Sequence, residues 1–242
     1  MNLYPAIDIM DGHAVRLVKG DFAAKKVYDE EPLAAATGWV EAGARFLHVV
    51  DLDGARSGEP ANLDHVARIA RELDVPLQFG GGLRSLAAIE GALEAGASRA
   101  ILGTAAFKDP VLLDRALEEW PDRILVSVDV RGGQVATEGW TETLASPAQE
   151  AIALLIARGA RELVYTNVDR DGMLEGVDLE EVRRVAAAVE AANIVYSGGI
   201  GSLEDLVGLA GLREESLRGV IVGKALYERR FTVPEALEAL AG

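Results

Sequence analysis

Residues 77–107 read LQFGGGLRSLAAIEGALEAGASRAILGTAAF, and this stretch decides the fold. Two short apolar runs, at residues 77–79 and 100–102, enclose an amphipathic segment at residues 86–94. Short apolar strands joined by a helical crossover are typical of a parallel sheet that is covered by helices. The stretch therefore predicts one β–α–β unit in which glycine follows each strand.

The same alternation continues along the whole chain. Apolar runs that predict strands lie at residues 3–9, 46–51, 77–79, 100–102, 124–129, 163–166, 194–197 and 220–222. Helical patterns lie at residues 32–42, 63–72, 86–94, 110–119, 147–157, 179–191, 203–209 and 234–240. Eight such units predict a closed (β/α)8 TIM barrel, with an open doubly wound sheet as the alternative. We expect a single domain over residues 1–242.

An internal repeat divides this predicted barrel into two halves. The motif DLDG from position 51 recurs as DRDG from position 169, and FGGGL, ending at 83, recurs as YSGGI, ending at 200. ILGTAAF from position 101 recurs as IVGKALY from position 221. Each motif returns after about half of the 242 residues. The predicted fold class is therefore α/β, a barrel with a two-fold internal half-barrel repeat over about residues 1–122 and 123–242.

The composition is that of a well-packed acidic chain. Hydrophobic residues make up 50%, and 24 basic against 39 acidic residues give a formal charge of −15. A field of this sign repels nucleic acid and anionic membranes, so we expect neither as a partner. The absence of cysteine excludes disulfides and thiolate chemistry. No signal-peptide pattern and no apolar run of roughly 18 residues occurs, so we expect a cytoplasmic protein.

Two glycine-rich groups follow predicted strands and are related by the repeat. The first glycine group consists of Gly81, Gly82, Gly103 and Thr104. The second glycine group consists of Gly172, Ser197, Gly198, Gly199, Gly223 and Lys224. Backbone N–H groups at the carboxyl edge of a barrel bind phosphate, although glycines in tight turns give the same pattern. Together the groups predict a small-molecule substrate with a phosphate at each end.

Two aspartates at matched strand ends, Asp8 and Asp129, are the candidate reacting groups. One ionised and one protonated carboxylate can act as general base and general acid. An aspartate at a strand end can also simply cap the next loop, but the symmetric pair favours catalysis. Thr166 and Asp171 lie at the same predicted edge and are candidates to support the site.

Two further side chains are candidates for substrate binding. Trp140 lies in the polar stretch TEGWTE and can stack on a heteroaromatic ring, and His48 lies on the second predicted strand. The three histidines are scattered, so no zinc site is expected. A hydrated Mg²⁺ ion bound by Asp51 and Asp53 stays an open alternative at this point. Neither the P-loop spacing nor GxGxxG occurs, so neither ATP nor NAD is expected as a cofactor.

The motifs as a set resemble a known family. They are PAIDIMDGHAVRLVKG at residues 5–20, HVVDLDGA at 48–55, QFGGGLRS at 78–85, ILGTAAF at 101–107, VSVDVRGGQVATEGW at 126–140, DRDGMLEG at 169–176, YSGGI at 196–200 and GVIVGKALYE at 219–228. In this order they resemble the histidine-biosynthesis isomerases that convert the ProFAR aminoaldose to the PRFAR aminoketose.

The resemblance implies a role for each candidate residue. Asp8 is expected to be the general base and Asp129 the general acid, with Thr166 and Asp171 in support and Trp140 packing on the substrate. The implied substrate carries a phosphoribosyl group at each end. The resemblance implies no metal and no cofactor. We expect a monomer without an obligatory protein partner.

Three alternatives remain open at this point. The sister cyclase subunit of imidazole glycerol phosphate synthase has a Lys-Gly pair eight residues after its first Asp, where this chain has Arg16 in the isomerase-like RLVKG. Arg16 is accordingly a candidate substrate-binding residue. A bifunctional isomerase that also takes phosphoribosylanthranilate tends to have Arg two residues before the loop Trp, where this chain has Glu138. A non-catalytic phosphosugar-binding protein would not need the aspartate pair.

Overall fold

The computed structural model describes residues 1–18, 21–29, 31–189 and 191–242, and the side chains within these ranges except those of residues 16–29 and 145. Within this part of the chain, eight parallel strands form the barrel. They are β1 (Asn2–Met10), β4 (Leu47–Asp51), β5 (Leu77–Gly80), β6 (Arg99–Leu102), β7 (Ile124–Arg131), β10 (Glu162–Asn167), β11 (Asn193–Ser197) and β12 (Leu217–Val222). Pairing of β7 with β10 closes the sheet, which confirms the TIM barrel and excludes the open sheet.

Helices cover the outside of the barrel. The eight predicted helices are present as α1 (Pro32–Glu41), α3 (Leu63–Glu72), α4 (Leu86–Glu94), α6 (Pro110–Glu119), α7 (Ala148–Ala157), α8 (Leu179–Ala188), α9 (Leu203–Gly211) and α11 (Val233–Ala241). Side-chain caps begin several of them; the Ser85 side chain accepts from Ala88 N, and Ser202 forms a capping box with Asp205. Three short helices were not predicted: α2 (Leu52–Ser57), α5 (Thr104–Lys108) and α10 (Lys224–Tyr227).

Two antiparallel strand pairs extend the barrel at its carboxyl edge. β2 (His13–Val18) pairs with β1 and with β3 (Asp21–Asp29), and β8 (Gln134–Thr137) pairs with β7 and with β9 (Glu142–Pro147). No strand was predicted in either place, because these strands are held by antiparallel pairing with a neighbour and do not alternate with helices. Each pair follows a strand that carries one of the two candidate aspartates. The half-barrel repeat itself stays a prediction.

Two apolar layers position the site. Buried residues between the strands and the helices form the main core, and a second cluster fills the barrel interior with Tyr4, Ala6, Ile101, Leu125, Val164, Val195 and Ile221. Strand residues alternate between these layers because successive side chains point to opposite faces. Polar side chains one layer above the interior cluster therefore face the barrel mouth. No helix in the described ranges is long and apolar enough to cross a membrane.

Candidate active site

A cavity of about 250 Å³ opens at the carboxyl end of the barrel strands. Ala6, Ile101, Val164 and Ile221 of the interior cluster contribute to its lining. Most of the predicted site residues also line it: Asp8, His48, Gly81, Gly82, Gly103, Thr104, Asp129, Trp140, Thr166, Asp171 and Ser197. Residues from all eight barrel strands or the turns that follow them thus meet in one cavity.

The strand register brings the central polar residues to one level. Thr166 of β10 is paired with Asp129 of β7 on one side and with Ser197 of β11 on the other. Asp8 lies near the end of β1, opposite Val15 of β2, and only 9% of it is exposed. Burial of a carboxyl group strengthens its interactions with a bound substrate because little water competes.

Both carboxylate oxygens of Asp129 accept hydrogen bonds from the protein. Ser127 Oγ donates to Oδ1 at 2.7 Å, and Trp140 Nε1 donates to Oδ2 at 2.8 Å. The sequence did not predict this contact, because Trp140 was expected to lie against the substrate.

The turn that carries Trp140 has an unusual backbone. Glu138, Gly139 and Trp140 have φ angles of 52°, 59° and 71°. These angles lie in the left-handed region, which residues other than glycine rarely adopt. Arg131 Nη1 donates to the Trp140 carbonyl oxygen at 2.7 Å and holds the turn from β7. Strained residues that the surroundings hold in place are common at functional sites.

Glu138 joins this turn to the segments that follow the neighbouring strands β5 and β6. Its carboxylate accepts from Lys108 Nζ at 2.6 Å and from Arg84 Nη2 at 3.4 Å, and its backbone N–H donates to Thr104 Oγ1 at 2.9 Å. The hydrogen bond from Lys108 lowers the pKa of Glu138, and the same contact raises the pKa of Lys108. Two cations therefore balance the negative charge of Glu138, which stands where bifunctional isomerases tend to have an arginine.

One glycine of each group, Gly81 and Gly198, is required by the backbone. Gly81 has φ of 121°, and a Cβ there would lie 2.2 Å from the Asp51 carbonyl oxygen. Gly198 has φ of 102°, and a Cβ there would lie 2.5 Å from the Asn167 carbonyl oxygen. The turn interpretation is thus correct for these positions, and it is compatible with phosphate binding, since such turns also point N–H groups outward.

The second glycine group surrounds a smaller depression of about 20 Å³ beside the main cavity. Gly172, Gly198, Gly199, Gly223 and Lys224 line it together with Asp171. Lys224 Nζ donates to the Gly172 carbonyl oxygen at 2.7 Å. Ser197 lines the main cavity instead, so Asp171 is the predicted residue that borders both spaces.

Asp51 and Asp53 have structural roles that account for their positions. Asp51 accepts from the backbone N–H groups of Gly54, Ala61 and Asn62 at 2.8, 2.6 and 2.9 Å. Asp53 accepts from Asp11 N at 2.8 Å. Within the described ranges, no group of three or more His, Cys, Asp or Glu side chains could hold a metal ion.

Arg16 lies on β2, and its side chain is outside the part of the structure that is described. Two cavity residues, Ser127 and Arg84, were missed from the sequence, and so was Gln78, which is buried against the cavity residue His48. Ser127 precedes Asp129 by two positions, so strand alternation places both on the same face. Gln78 is a polar residue inside an apolar run, and Arg84 lies two positions after the last glycine of the run at residues 80–82. These signals could have identified all three.

Comparison with known proteins gives concordant results. A family model described as histidine biosynthesis protein matches residues 2–232. A 1-(5-phosphoribosyl)-5-((5-phosphoribosylamino)methylideneamino) imidazole-4-carboxamide isomerase from Moorella thermoacetica is 45% identical, over 100% of this chain and 99% of the relative. An isomerase of the same name from a Synechococcus species is 45% identical, over 99% of this chain and 93% of the relative. Another from Brevibacillus brevis is 44% identical, over 99% of this chain and 96% of the relative.

Proposed function

Because the chain belongs to the histidine biosynthesis protein family, we propose that it is the isomerase that converts the ProFAR aminoaldose to the PRFAR aminoketose. Similarity to isomerases of this name over nearly full length on both sides carries the proposal. The cavity supports it, since Asp8, Asp129 and Asp171 face one space between two glycine groups. The relatives' names favour this reaction over the cyclase and over a non-catalytic phosphosugar-binding protein.

The reaction is an Amadori rearrangement, which needs one general acid and one general base. The acid protonates the furanose ring oxygen, and the ring opens to a protonated imine. The base, Asp8, removes the proton from C2′ to give an enolamine, which tautomerises to the ketose. Every step moves protons within the substrate and two carboxyl groups. The phosphate groups at the two ends hold the reacting carbon against Asp8, because remote binding energy orients the reacting atoms.

We assign the general acid to Asp129, which must first lose the Trp140 indole contact. In the present arrangement both of its carboxylate oxygens accept hydrogen bonds from the protein, whereas a general acid needs an oxygen within hydrogen-bond reach of the substrate. If Trp140 moves onto the substrate ring, one carboxylate oxygen is released. Asp171, which lines the same cavity, is the competing assignment for the acid.

The test is turnover of ProFAR by three single variants, Asp8→Asn, Asp129→Asn and Asp171→Asn. Loss of a general acid or base lowers kcat by roughly 10²- to 10⁴-fold. We expect this loss for Asp8→Asn and Asp129→Asn and a smaller loss for Asp171→Asn. Near-normal turnover of Asp129→Asn with a large loss in Asp171→Asn would transfer the acid role to Asp171. Wild-type protein that leaves ProFAR unchanged would overturn the proposed function.

We further propose that the enzyme is specific for ProFAR. Glu138 stands where the bifunctional isomerases tend to have an arginine for the anthranilate carboxylate, and it occupies both Arg84 and Lys108. Phosphoribosylanthranilate should therefore be converted about 10- to 100-fold less efficiently than ProFAR, the cost of one missing charged contact of about 1.5–3 kcal/mol. The two products are resolved by chromatography. Comparable conversion of both substrates would show that the protein is a bifunctional isomerase and not specific for ProFAR.

The oligomeric state and the location of the protein are also part of the proposal. We propose a cytoplasmic monomer that needs no partner chain, since one barrel contains every residue assigned above. Sedimentation of the active protein at the mass of one chain, 25.6 kDa, is the expected result. Activity confined to a dimer fraction would contradict it.

A further inference from the structure

A line of hydrogen bonds runs inside the barrel from β6 to the cavity. Arg99 Nη2 donates to Gln78 Oε1 at 3.0 Å, and Gln78 Nε2 lies 2.9 Å from His48 Nδ1. His48 and Gln78 are paired across β4 and β5, and Gln78 is 1% exposed. His48 lines the cavity at the other end of this line.

The chemistry of each group determines the direction of these hydrogen bonds. A guanidinium group has donors only, so the amide atom that faces Arg99 has to be the carbonyl oxygen. The amide NH₂ of Gln78 then faces His48, and an NH₂ group also only donates. His48 Nδ1 must accept, which means that it carries no hydrogen. The hydrogen of the neutral ring is therefore on Nε2.

Arg99 is itself held by other contacts, so it can fix the orientation of the Gln78 amide. The same Nη2 atom donates to Tyr4 Oη at 2.9 Å, and Nη1 lies 3.4 Å from Glu162 Oε2. Its guanidinium carbon also lies 5.6 Å from the centre of the Tyr4 ring. Reversing the Gln78 amide would place an NH₂ group against the guanidinium, a contact between two donors that burial makes costly.

We propose that Arg99 and Gln78 are positioning residues that lock His48 in the Nε2–H tautomer, so that it serves the cavity as a neutral hydrogen-bond donor. Protonation of Nδ1 would set a second N–H against the Gln78 amide, and the ring consequently does not serve as a general base through that nitrogen. A donor on this wall suits a substrate hydroxyl or phosphate oxygen. This use of the tautomer rests on the proposed function, whereas the tautomer itself does not.

The direct test is ¹⁵N NMR of the histidine rings in the full chain without substrate. The chain has three histidines, so a His48→Asn spectrum assigns the His48 signals. Two-bond nitrogen–proton correlations at neutral pH separate a ring nitrogen that carries hydrogen from one that does not. We expect His48 Nδ1 to be without hydrogen and Nε2 to carry it. A wild-type spectrum with hydrogen on Nδ1 would overturn the proposal.

Variants test the cause of the tautomer. Gln78→Glu replaces the donor by an acceptor and should move hydrogen onto Nδ1. Arg99→Met should give a mixture of both tautomers. This variant replaces Gln78→Glu as the test if Gln78→Glu does not fold. Tyr4→Phe, which removes another acceptor of Arg99, should leave the tautomer unchanged. An unchanged His48 spectrum in both Gln78→Glu and Arg99→Met would show that neither residue sets it.

Kinetics separate the tautomer from the proposed function. In folded Gln78→Glu, kcat/KM for ProFAR should fall about 3- to 10-fold, the loss of one hydrogen bond, and Tyr4→Phe should stay within about 2-fold of wild type. A wild-type protein with the expected tautomer but no isomerase activity would overturn the function alone. Isomerase activity together with hydrogen on Nδ1 would overturn the positioning role alone.

Discussion

Gly81 of the first glycine group and Gly198 of the second lie in the same backbone arrangement on two sides of the barrel. Each follows a barrel strand, and each approaches the carbonyl oxygen at the end of the preceding strand, that of Asp51 or of Asn167. The side chains around them differ. Thr104 and the Glu138 turn cover the first group, whereas the second has the cation of Lys224. One backbone arrangement is thus surrounded by different charges: the cations near the first group, Arg84 and Lys108, are paired with the Glu138 carboxylate, whereas Lys224 donates to a backbone carbonyl oxygen.

The strongest test of the shared backbone is Gly→Ala substitution at both positions. The left-handed φ and the collision with a carbonyl oxygen should together cost about 3 kcal/mol or more. Since 1 kcal/mol lowers Tm by about 2–4 °C in a chain of this size, we expect a decrease of roughly 6–12 °C for Gly81→Ala and for Gly198→Ala. Thermal unfolding followed by circular dichroism measures it.

A matched control is Gly91→Ala in α4, where a new Cβ would lie 3.6 Å from Leu63 Cδ1, an ordinary contact. Alanine is the better helix former, so the Tm of this variant should not fall. If Gly81→Ala and Gly198→Ala melt at the temperature of the control, the backbone does not require these glycines. Unequal decreases for the two variants would show that the arrangement is not shared.

The charge difference between the groups predicts unequal losses of substrate binding. We propose that Lys224 binds a substrate phosphate, and Lys224→Met would then remove a charge-assisted hydrogen bond of about 1.5–3 kcal/mol. KM for ProFAR should therefore rise roughly 10- to 100-fold. Lys224 also donates to the Gly172 carbonyl oxygen, so the Tm of the variant must be measured beside its kinetics. An unchanged KM would remove Lys224 from the phosphate site.

Thr104→Val makes the corresponding change in the first group and should have a smaller effect. A neutral hydroxyl contributes about 0.5–1.5 kcal/mol, so KM should rise about 2- to 10-fold. Thr104→Ser keeps the hydroxyl that accepts from the Glu138 N–H and should behave as wild type. A KM rise in Thr104→Val as large as that in Lys224→Met would contradict the charge comparison.

The barrel could be predicted from sequence because its signals are local and periodic. Each buried strand is an apolar run, and helices such as α4 begin at a capping Ser and contain an amphipathic pattern. The short helices α5 and α10 give no such pattern, since five or four residues span little more than one turn. β8 and β9 are short strands held by pairing with a neighbour, which a local pattern does not report.

The features of the site likewise divide into those that local sequence signals predict and those that depend on the tertiary fold. Position at a strand end placed Asp8, Asp129 and Thr166 at the cavity, because the edge of a barrel follows from the fold. The contact between Trp140 and Asp129 depends on how the β8–β9 pair folds back, so the sequence could not supply it. The pairing of Glu138 with Lys108 likewise joins residues that are distant in sequence.

The smallest expected effect concerns the acid sensitivity of the turn that covers the first group. The hydrogen bond from Lys108 lowers the pKa of Glu138 from 4.5, so the stabilisation of the turn is fully present above that value. It is lost as the pH falls through the lowered pKa, because the protonated carboxyl no longer pairs with Lys108. The change in Trp140 environment should be visible as a fluorescence transition below about pH 4.5 in wild type. In Lys108→Met the transition should lie at higher pH, and Trp140→Phe should abolish it. A transition at the same pH with and without Lys108 would show that this contact does not hold the turn.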